Sequence, residues 1–457
     1  MGKTAFHLPK EKSFLLYKNT KMKNLHLISL GCPKARVDSE LILGLAQNRS
    51  WQLCADAEEA DAIIINTCGF LQSAIDESID TILEMADYKS GRCKRLIVAG
   101  CMPSRFRENL AELRAELPEV DAFLTTNETH KIIEVLEDNA KMPVSSDIFH
   151  MRRLAAAQSY AYLKISEGCD RRCSFCAIPL IRGPQISRSI ESLVGEAQNL
   201  VSTGCRELVL IAQELTHYGS DIGLKDGLNQ LIDELEKIEN LRWIRLMYAY
   251  PWNFSEKLMQ RLGSGKVLPY IDMPLQHVSE RILKSMRRGV SQLAQEQLLR
   301  RLREIPKLVL RTSLIVGYPG ETDVEFNQLL DWIKEVKFDR LGVFTYSPEE
   351  GTPAAELPEQ VPDELKEARY AQIMDLQQEI HREKMQALLG QTLDILVDGP
   401  SPEHPLVLQG RYYGQAPEVD GQVYLSYEDS EDEPANIGSF VKARIVEATD
   451  YDLLGHV

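Results

Sequence analysis

Three short apolar runs punctuate the first 140 residues: NLHLISL, ADAIIINT and RLIVAG, each followed by a stretch of helix-like composition. Each is a short run rich in Ile, Leu and Val, which reads as a strand buried in the core of a sheet. Strand, turn and helix in repetition predict a parallel sheet with right-handed crossovers. The carboxyl ends of such strands share one edge, where ligands collect. Cys32, Cys68 and Cys101 stand just behind the three runs. The pattern therefore predicts that they converge.

From about residue 158 to 350 the alternation resumes, with AYLKI, ELVLIAQ, WIRLMYAY, YIDMPLQ, VLRTSLIVGYP and RLGVFTYS as strands. Six strand-helix units predict an open (β/α)6 barrel with its active site in the loops at the carboxyl ends of the strands. Pro348 to Pro362 is rich in Pro and Glu and reads as a linker. A polar stretch from about Asp363 to Leu389 predicts a helix on the barrel exterior. Beyond Gly390, TLDILVDG, RYYGQ, QVYLSY and SFVKARIVEA, separated by Gly and Pro turns, predict a small antiparallel β-barrel. The expected class is thus α/β: a parallel-sheet domain over 24–140, the open barrel with its trailing helix over 155–389, and the small barrel over 390–457. Residues 1–23 read as a basic extension, expected to be disordered, with Met22 as a possible internal start.

The chemistry is concentrated in LKISEGCDRRCSFCAIPLIRG, where Cys169, Cys173 and Cys176 form a Cys-x-x-x-Cys-x-x-Cys triplet. Nine cysteines scattered at random would produce this spacing with an expectation on the order of 0.004. A structural zinc site closes a tetrahedron with four Cys or His ligands, and the nearest further candidates, His150 and Cys205, bring no second knuckle. Three close cysteines cannot all pair as disulfides, and the total is odd. An iron-sulfur cubane suits thiolate ligands. Held by three of them, it keeps one iron open to another ligand. For Cys32, Cys68 and Cys101 the plain alternative is a set of buried core thiols, but three at the same place relative to their strands favour a second cluster. Cys54, Cys93 and Cys205 fit neither pattern and read as packing residues.

CDRRCSFC resembles the signature of the radical S-adenosylmethionine (SAM) superfamily. The resemblance implies a [4Fe–4S] cluster on Cys169, Cys173 and Cys176 whose open iron binds SAM, with Phe175 near the adenine. VGYPGET, residues 316–322, resembles the glycine-containing strand-end motif of these barrels and places Gly317 beside the cofactor; an ordinary turn is the alternative. Arg311, on the same strand, could grip SAM's carboxylate as a fork, and Glu214, after ELVLIAQ, could accept from its ammonium group. Solvated rim charges are the alternative for both.

Two three-cysteine sets followed by a small β domain resemble the methylthiotransferases, a radical SAM subfamily. SLGCPKARVDSE, INTCGF, AGCMP and GRYYGQAPEVDG resemble the branch that modifies an aspartate of small-subunit ribosomal protein twelve. Ala35 departs from that branch, which commonly has asparagine there. Asp38 and Ser39 keep the pattern and read equally well as helix N-terminal residues satisfying free amides. The resemblance identifies the last domain as a TRAM domain and implies two SAM-dependent steps. One SAM methylates sulfur at the cluster of Cys32, Cys68 and Cys101. A second yields the 5′-deoxyadenosyl radical that abstracts a hydrogen from the aspartate β-carbon, and the carbon radical takes up the methylthio group.

Charge refines the partner. Residues 391–457 hold 13 Asp or Glu against 3 Lys or Arg, which disfavours nucleic-acid binding through this domain and suits a basic protein partner; a merely solubilising surface is the alternative. With 44% hydrophobic and 26% charged residues, no apolar run of membrane-spanning length and no secretory signal pattern, the expected setting is the reducing cytoplasm, with electrons from an external donor. Two other functions remain open on sequence alone: the same chemistry on an adenosine of transfer RNA, and a two-cluster electron carrier or zinc-stabilised RNA-binding protein.

Overall fold

The computed structural model describes residues 22–137, 148–154, 156–252, 254–427 and 435–457. The expected basic extension and the 138–147 stretch around the first domain boundary therefore lie almost wholly outside the described residues. The chain divides into two compact units: one takes the residues up to 157 with 167–170 and 177–196, the other the remainder.

In the first unit, β1 (Lys23–Ser29), β2 (Trp51–Leu53), β3 (Ala62–Thr67), β4 (Arg95–Gly100) and β5 (Ala122–Thr125) form a sheet in the order β2-β1-β3-β4-β5. Every pairing is parallel. Residues 62–67 of β3 are buried throughout, which is why the sequence there is apolar without alternation. The crossovers α1 (Pro33–Gln47) and α2 (Gln72–Ala86) cover opposite faces, with Leu41, Ile42 and Leu45 in one core and Ile75, Ile82 and Met85 in the other. β4 runs straight into the short helix α3 (Cys101–Arg105).

In the second unit, six strands, Tyr160–Lys164, Glu207–Ile211, Trp243–Leu246, Val267–Asp272, Val309–Val316 and Arg340–Thr345, lie side by side in chain order. All five pairings are parallel. The first and last strands do not pair, so the barrel is open. The helix Asp363–Gln386 covers the last strand, with Gln377 Nε2 donating to the Phe338 carbonyl at 3.0 Å. Covering a free strand edge blocks its pairing with another chain.

The C-terminal domain is a closed five-stranded barrel. One pairing, Val423–Ser426 with Leu453–His456, is parallel, a departure from the wholly antiparallel barrel that alternating strands and turns predict. The segment Arg411–Asp420 covers the amino ends of the six strands. There Arg411 Nη1 donates to Glu207 Oε2 at 2.6 Å, and Arg245 Nη1 donates to the Tyr413 carbonyl at 2.8 Å. The Tyr270 hydroxyl donates to Asp420 Oδ2 at 2.8 Å. Among the described residues no helix is long and apolar enough to cross a membrane.

Candidate functional site

All nine cysteines are free thiols. In the first unit Cys32 is the N-cap of α1, Cys68 follows β3 directly, and Cys101 opens α3. The turns that carry them pack on one another. A β-carbon placed on Gly31 would lie 3.6 Å from Cys68 Sγ, and one on Gly69 would lie 2.8 Å from the Cys101 carbonyl carbon. The expected convergence is present, because parallel strands in adjacent register end together.

Backbone amides serve two of the three sulfurs. Burial pushes the Cys32 thiol up, but Lys34, Arg182 and the amides of Ala35 and Lys34 outweigh it and hold the thiol below its ordinary value. For Cys68 burial wins over the amides of Phe70 and Gly69, and the thiol is raised. Cys101 is pushed up to about 12, chiefly by burial and further by the nearby Cys32 and Cys68, with Arg182 opposing. A metal that binds here displaces the proton of each thiol, as thiolate ligation requires.

Arg182 is the residue that sequence reasoning did not supply. It lies in the short helix Ile178–Arg182, six positions after Cys176, and is 2% exposed. Its Nη2 donates to Cys101 Sγ at 3.1 Å. Nη1 donates to Glu167 Oε1 at 2.6 Å, and both amino groups reach Asp38 Oδ2 at 3.4 Å. Asp38 is thus an ion-pair partner and not a helix N-terminal cap. Ser39 likewise caps nothing: it donates to Ser29 Oγ at 2.8 Å and accepts from Asn66 Nδ2 at 2.8 Å. The same Asn66 amide donates to the Ala35 carbonyl at 2.7 Å, a contact that asks nothing of the Ala35 side chain.

The triplet loop belongs to both units. In the first, the Cys169 amide donates to the Gly183 carbonyl at 3.1 Å. In the second, Arg288 Nη1 donates to Cys173 Sγ at 3.4 Å and Nη2 to the Pro274 carbonyl at 2.6 Å. Ser174, buried, donates to the Ser285 carbonyl and shares a hydrogen bond with the Tyr318 hydroxyl, both at 2.8 Å. Phe175 packs against Ile282, Ile315 and Tyr318 at the end of the Val309–Val316 strand. Gly317 follows that strand at φ +70°, and a β-carbon there would meet Lys366 Cγ at 2.3 Å.

Glu214 lies past the end of the Glu207–Ile211 strand and accepts from Arg171 Nε at 2.6 Å and Nη2 at 3.1 Å. Arg171 in turn lies over Tyr250, 4.5 Å from its ring centre. Glu214 therefore holds the triplet loop. Arg311 stands elsewhere. It is the third residue of its strand, and its Nη1 donates to Asp272 Oδ1 at 2.7 Å with Asp420 at 3.8 Å, where the C-terminal barrel covers the strands' amino ends. A third residue of an eight-residue parallel strand lies far from the carboxyl end, so the structure does not bring Arg311 to Phe175, Glu214 and Gly317.

Among the described residues no three Cys, His, Asp or Glu side chains are gathered tightly enough to hold one metal ion. A cubane has its thiolates at separate iron corners and sets them wider apart. In the first unit, Cys32, Cys68 and Cys101, with the amides of Ala35, Lys34, Phe70 and Gly69 and the Arg182 guanidinium directed at them, are of the donor chemistry such a cluster takes.

Three family models match: "Uncharacterized protein family UPF0004" over residues 24–125, "Radical SAM superfamily" over 163–333 and "TRAM domain" over 389–457. The chain is 44% identical over 453 residues to "Ribosomal protein uS12 methylthiotransferase RimO" of Acetivibrio thermocellus, covering 95% of this chain and 98% of that protein. The protein of the same name from Geobacter sulfurreducens is 45% identical over 96% of this chain and 99% of its own.

The chain belongs to the uS12 methylthiotransferase family.

A third family member, from Myxococcus xanthus, is 45% identical over 96% of this chain and 92% of its own. As a radical SAM protein, this uS12 methylthiotransferase family member works with SAM and a [4Fe–4S] cluster. At the level of fold, the chain is similar to a radical SAM methyltransferase, TsrM of Kitasatospora setae, with a TM-score of 0.51 at 13% identity, covering 71% of this chain and 75% of that one. Arg171 and Arg182 were visible in the sequence, as charges within and just after the triplet in CDRRCSFCAIPLIRG. Arg288 carried no such signal, because it comes from a turn more than a hundred residues away.

Proposed function

We propose that this protein transfers a methylthio group to the β-carbon of an aspartate in ribosomal protein uS12, in the cytoplasm and with electrons from an external donor. The observation that carries the reading is the gathering of Cys32, Cys68 and Cys101, from three separate strand ends, beside the buried Arg182. An enzyme that only abstracted hydrogen would have no use for a second thiolate set. When bound, SAM and the cluster on Cys169, Cys173 and Cys176 supply the 5′-deoxyadenosyl radical, and the cluster on the first set holds the sulfur that is methylated.

The protein's part is to hold and orient. Arg171, Glu214, Ser174 and Tyr318 fix the triplet loop. With SAM bound, Phe175 would offer an aromatic face to the adenine, the backbone at Gly317 would lie against the cofactor, and the Glu214 carboxylate, already gripped by Arg171, would accept from its ammonium group. Arg311 is not among these contacts. The C-terminal barrel, with its excess of carboxylates, recognises a basic protein surface and repels phosphate backbones.

The test is anaerobic incubation of the reduced protein with SAM and either uS12 or unmodified transfer RNA, read by mass. An added methylthio group on uS12 alone is expected. Modified RNA with untouched uS12 would replace the substrate, and zinc in place of iron, or no SAM cleavage, would remove the radical chemistry. Iron and sulfide near eight each per chain are expected if both sets carry cubanes, about four each for one.

A further inference from the structure

Cys32 and Cys68 each receive amide hydrogens from the residues just after them. At Cys101 the short helix α3 is joined by a guanidinium instead, that of Arg182 at 3.1 Å. Arg182 is buried, so its charge acts through a medium that screens little. Glu167 and Asp38 hold its fork from the other side, which fixes where the N–H bonds point. The residue also comes from outside the UPF0004 match, from the helix that follows the triplet in sequence.

We propose that Arg182 is a positioning residue for the cluster on Cys32, Cys68 and Cys101, one that sets its reduction potential through the Cys101 sulfur. The inference rests on that cluster's presence. Hydrogen bonds to ligand sulfurs and nearby positive charge stabilise the reduced cluster, which carries one more negative charge. Without Arg182 that sulfur would lose the one guanidinium seen to donate to it among the described residues. The site is therefore completed by chain that lies beyond the N-terminal domain. Its electron affinity depends on how the Ile178–Arg182 helix is seated on α3, where Ile181 and Ala177 pack with Cys101.

The test uses the full chain carrying C169A, C173A and C176A, so that only the first cluster remains, reconstituted without oxygen. Iron is counted, and the one-electron midpoint is followed by electron paramagnetic resonance in a mediated titration. About four irons per chain are expected with Arg182 in place, and the R182Q protein should keep them while its midpoint moves negative by about 59 mV or more, a tenfold change in the reduction equilibrium. R182K keeps the buried charge but not the fork, and should fall between. If R182Q takes up no iron, R182K decides, and a negative shift supports the proposal. An unshifted midpoint and spectrum in whichever variant is loaded would overturn the role of Arg182 alone. A triple-alanine parent with no iron would overturn the second cluster and this inference together.

Discussion

Glu207 is the pivot between the open barrel and the C-terminal domain, and removing its charge while keeping its shape tests how that domain is held. The carboxylate is fully buried and accepts from Arg245 Nε and Arg411 Nη1, each at 2.6 Å. Both guanidiniums hold it below the ordinary carboxylate range in spite of its burial. In E207Q the two arginines are affected differently. Arg411 keeps Asp398, at 2.7 and 2.9 Å. Arg245, also fully buried, keeps the Tyr413 carbonyl and the face of Tyr270, 4.4 Å from the ring centre, which do not neutralise it. An uncompensated buried charge costs about 3 to 5 kcal/mol, so undocking should become easier by roughly two orders of magnitude or more. Hydrogen exchange reads this directly: amides in Thr392–Pro400 and Phe440–Ala448 should lose that much protection, and amides of β1 and β3 should not. The double variant E207L/R245M removes both charges, leaves Arg411 balanced by Asp398, and should recover most of the loss. A change under about fivefold in E207Q, or a double variant no better protected than the single one, would refute the reasoning.

Replacing Cys32, Cys68 and Cys101 together by Ala should leave about four irons per chain and SAM cleavage intact while abolishing methylthio transfer; the Cys169, Cys173 and Cys176 triple variant should lose SAM cleavage, both read by iron analysis and product chromatography. His381 donates from Nδ1 to the Asp450 carbonyl at 2.5 Å and its Nε2 faces Arg340, so burial and that guanidinium lower its pKa to about 4. An unfolded histidine binds a proton near pH 6.5 that the folded one refuses. Stability should therefore fall by up to about 3 kcal/mol between pH 6.5 and 4, and H381N should flatten that part of a Tm-against-pH curve. Gly44 in α1 has the Met151 carbonyl oxygen 1.9 Å from where a β-carbon would sit. G44A should destabilise the first unit by about 1 to 3 kcal/mol or more in urea melts, with the C-terminal barrel's exchange unchanged. R171A removes a charged hydrogen bond worth about 1.5 to 3 kcal/mol from the triplet loop, and should slow SAM cleavage by roughly ten- to a hundredfold without lowering the iron held on the first set.

Local signals were enough for much of this protein. The apolar runs identified the three strands that lead to Cys32, Cys68 and Cys101, most plainly Ala62–Thr67, which is buried throughout and has no polar side to display. The triplet spacing announced its chemistry because cluster ligands close together in sequence need no tertiary structure to bring them near. The three N-terminal thiols were legible for a related reason: parallel strands place successive carboxyl ends side by side. Charged side chains were the ones misread, because the partner of an arginine is chosen by packing. Arg311 sits on the expected strand, yet two of its eight positions from the start it points its charge at Asp272 and Asp420. GRYYGQAPEVDG is a family string in the sequence, and in the structure Arg411 to Asp420 closes the amino ends of the barrel.

The acidic character of the last domain is qualified in the same way. Of its 13 carboxylates, Asp398, Glu418 and Asp420 are spent on Arg411, on Tyr160 and Tyr162, and on Tyr270, inside the docked assembly of the second unit. Glu428, Asp429, Glu431, Asp432 and Glu433 lie outside the described residues. By itself the sequence determined the fold class, the two cysteine sets and the order of the domains, all of which follow from periodicity and spacing along the chain. Only the tertiary structure decided which charges face those cysteines, because burial strips an arginine of water and leaves it to whichever carboxylate, carbonyl or sulfur the packing brings within reach.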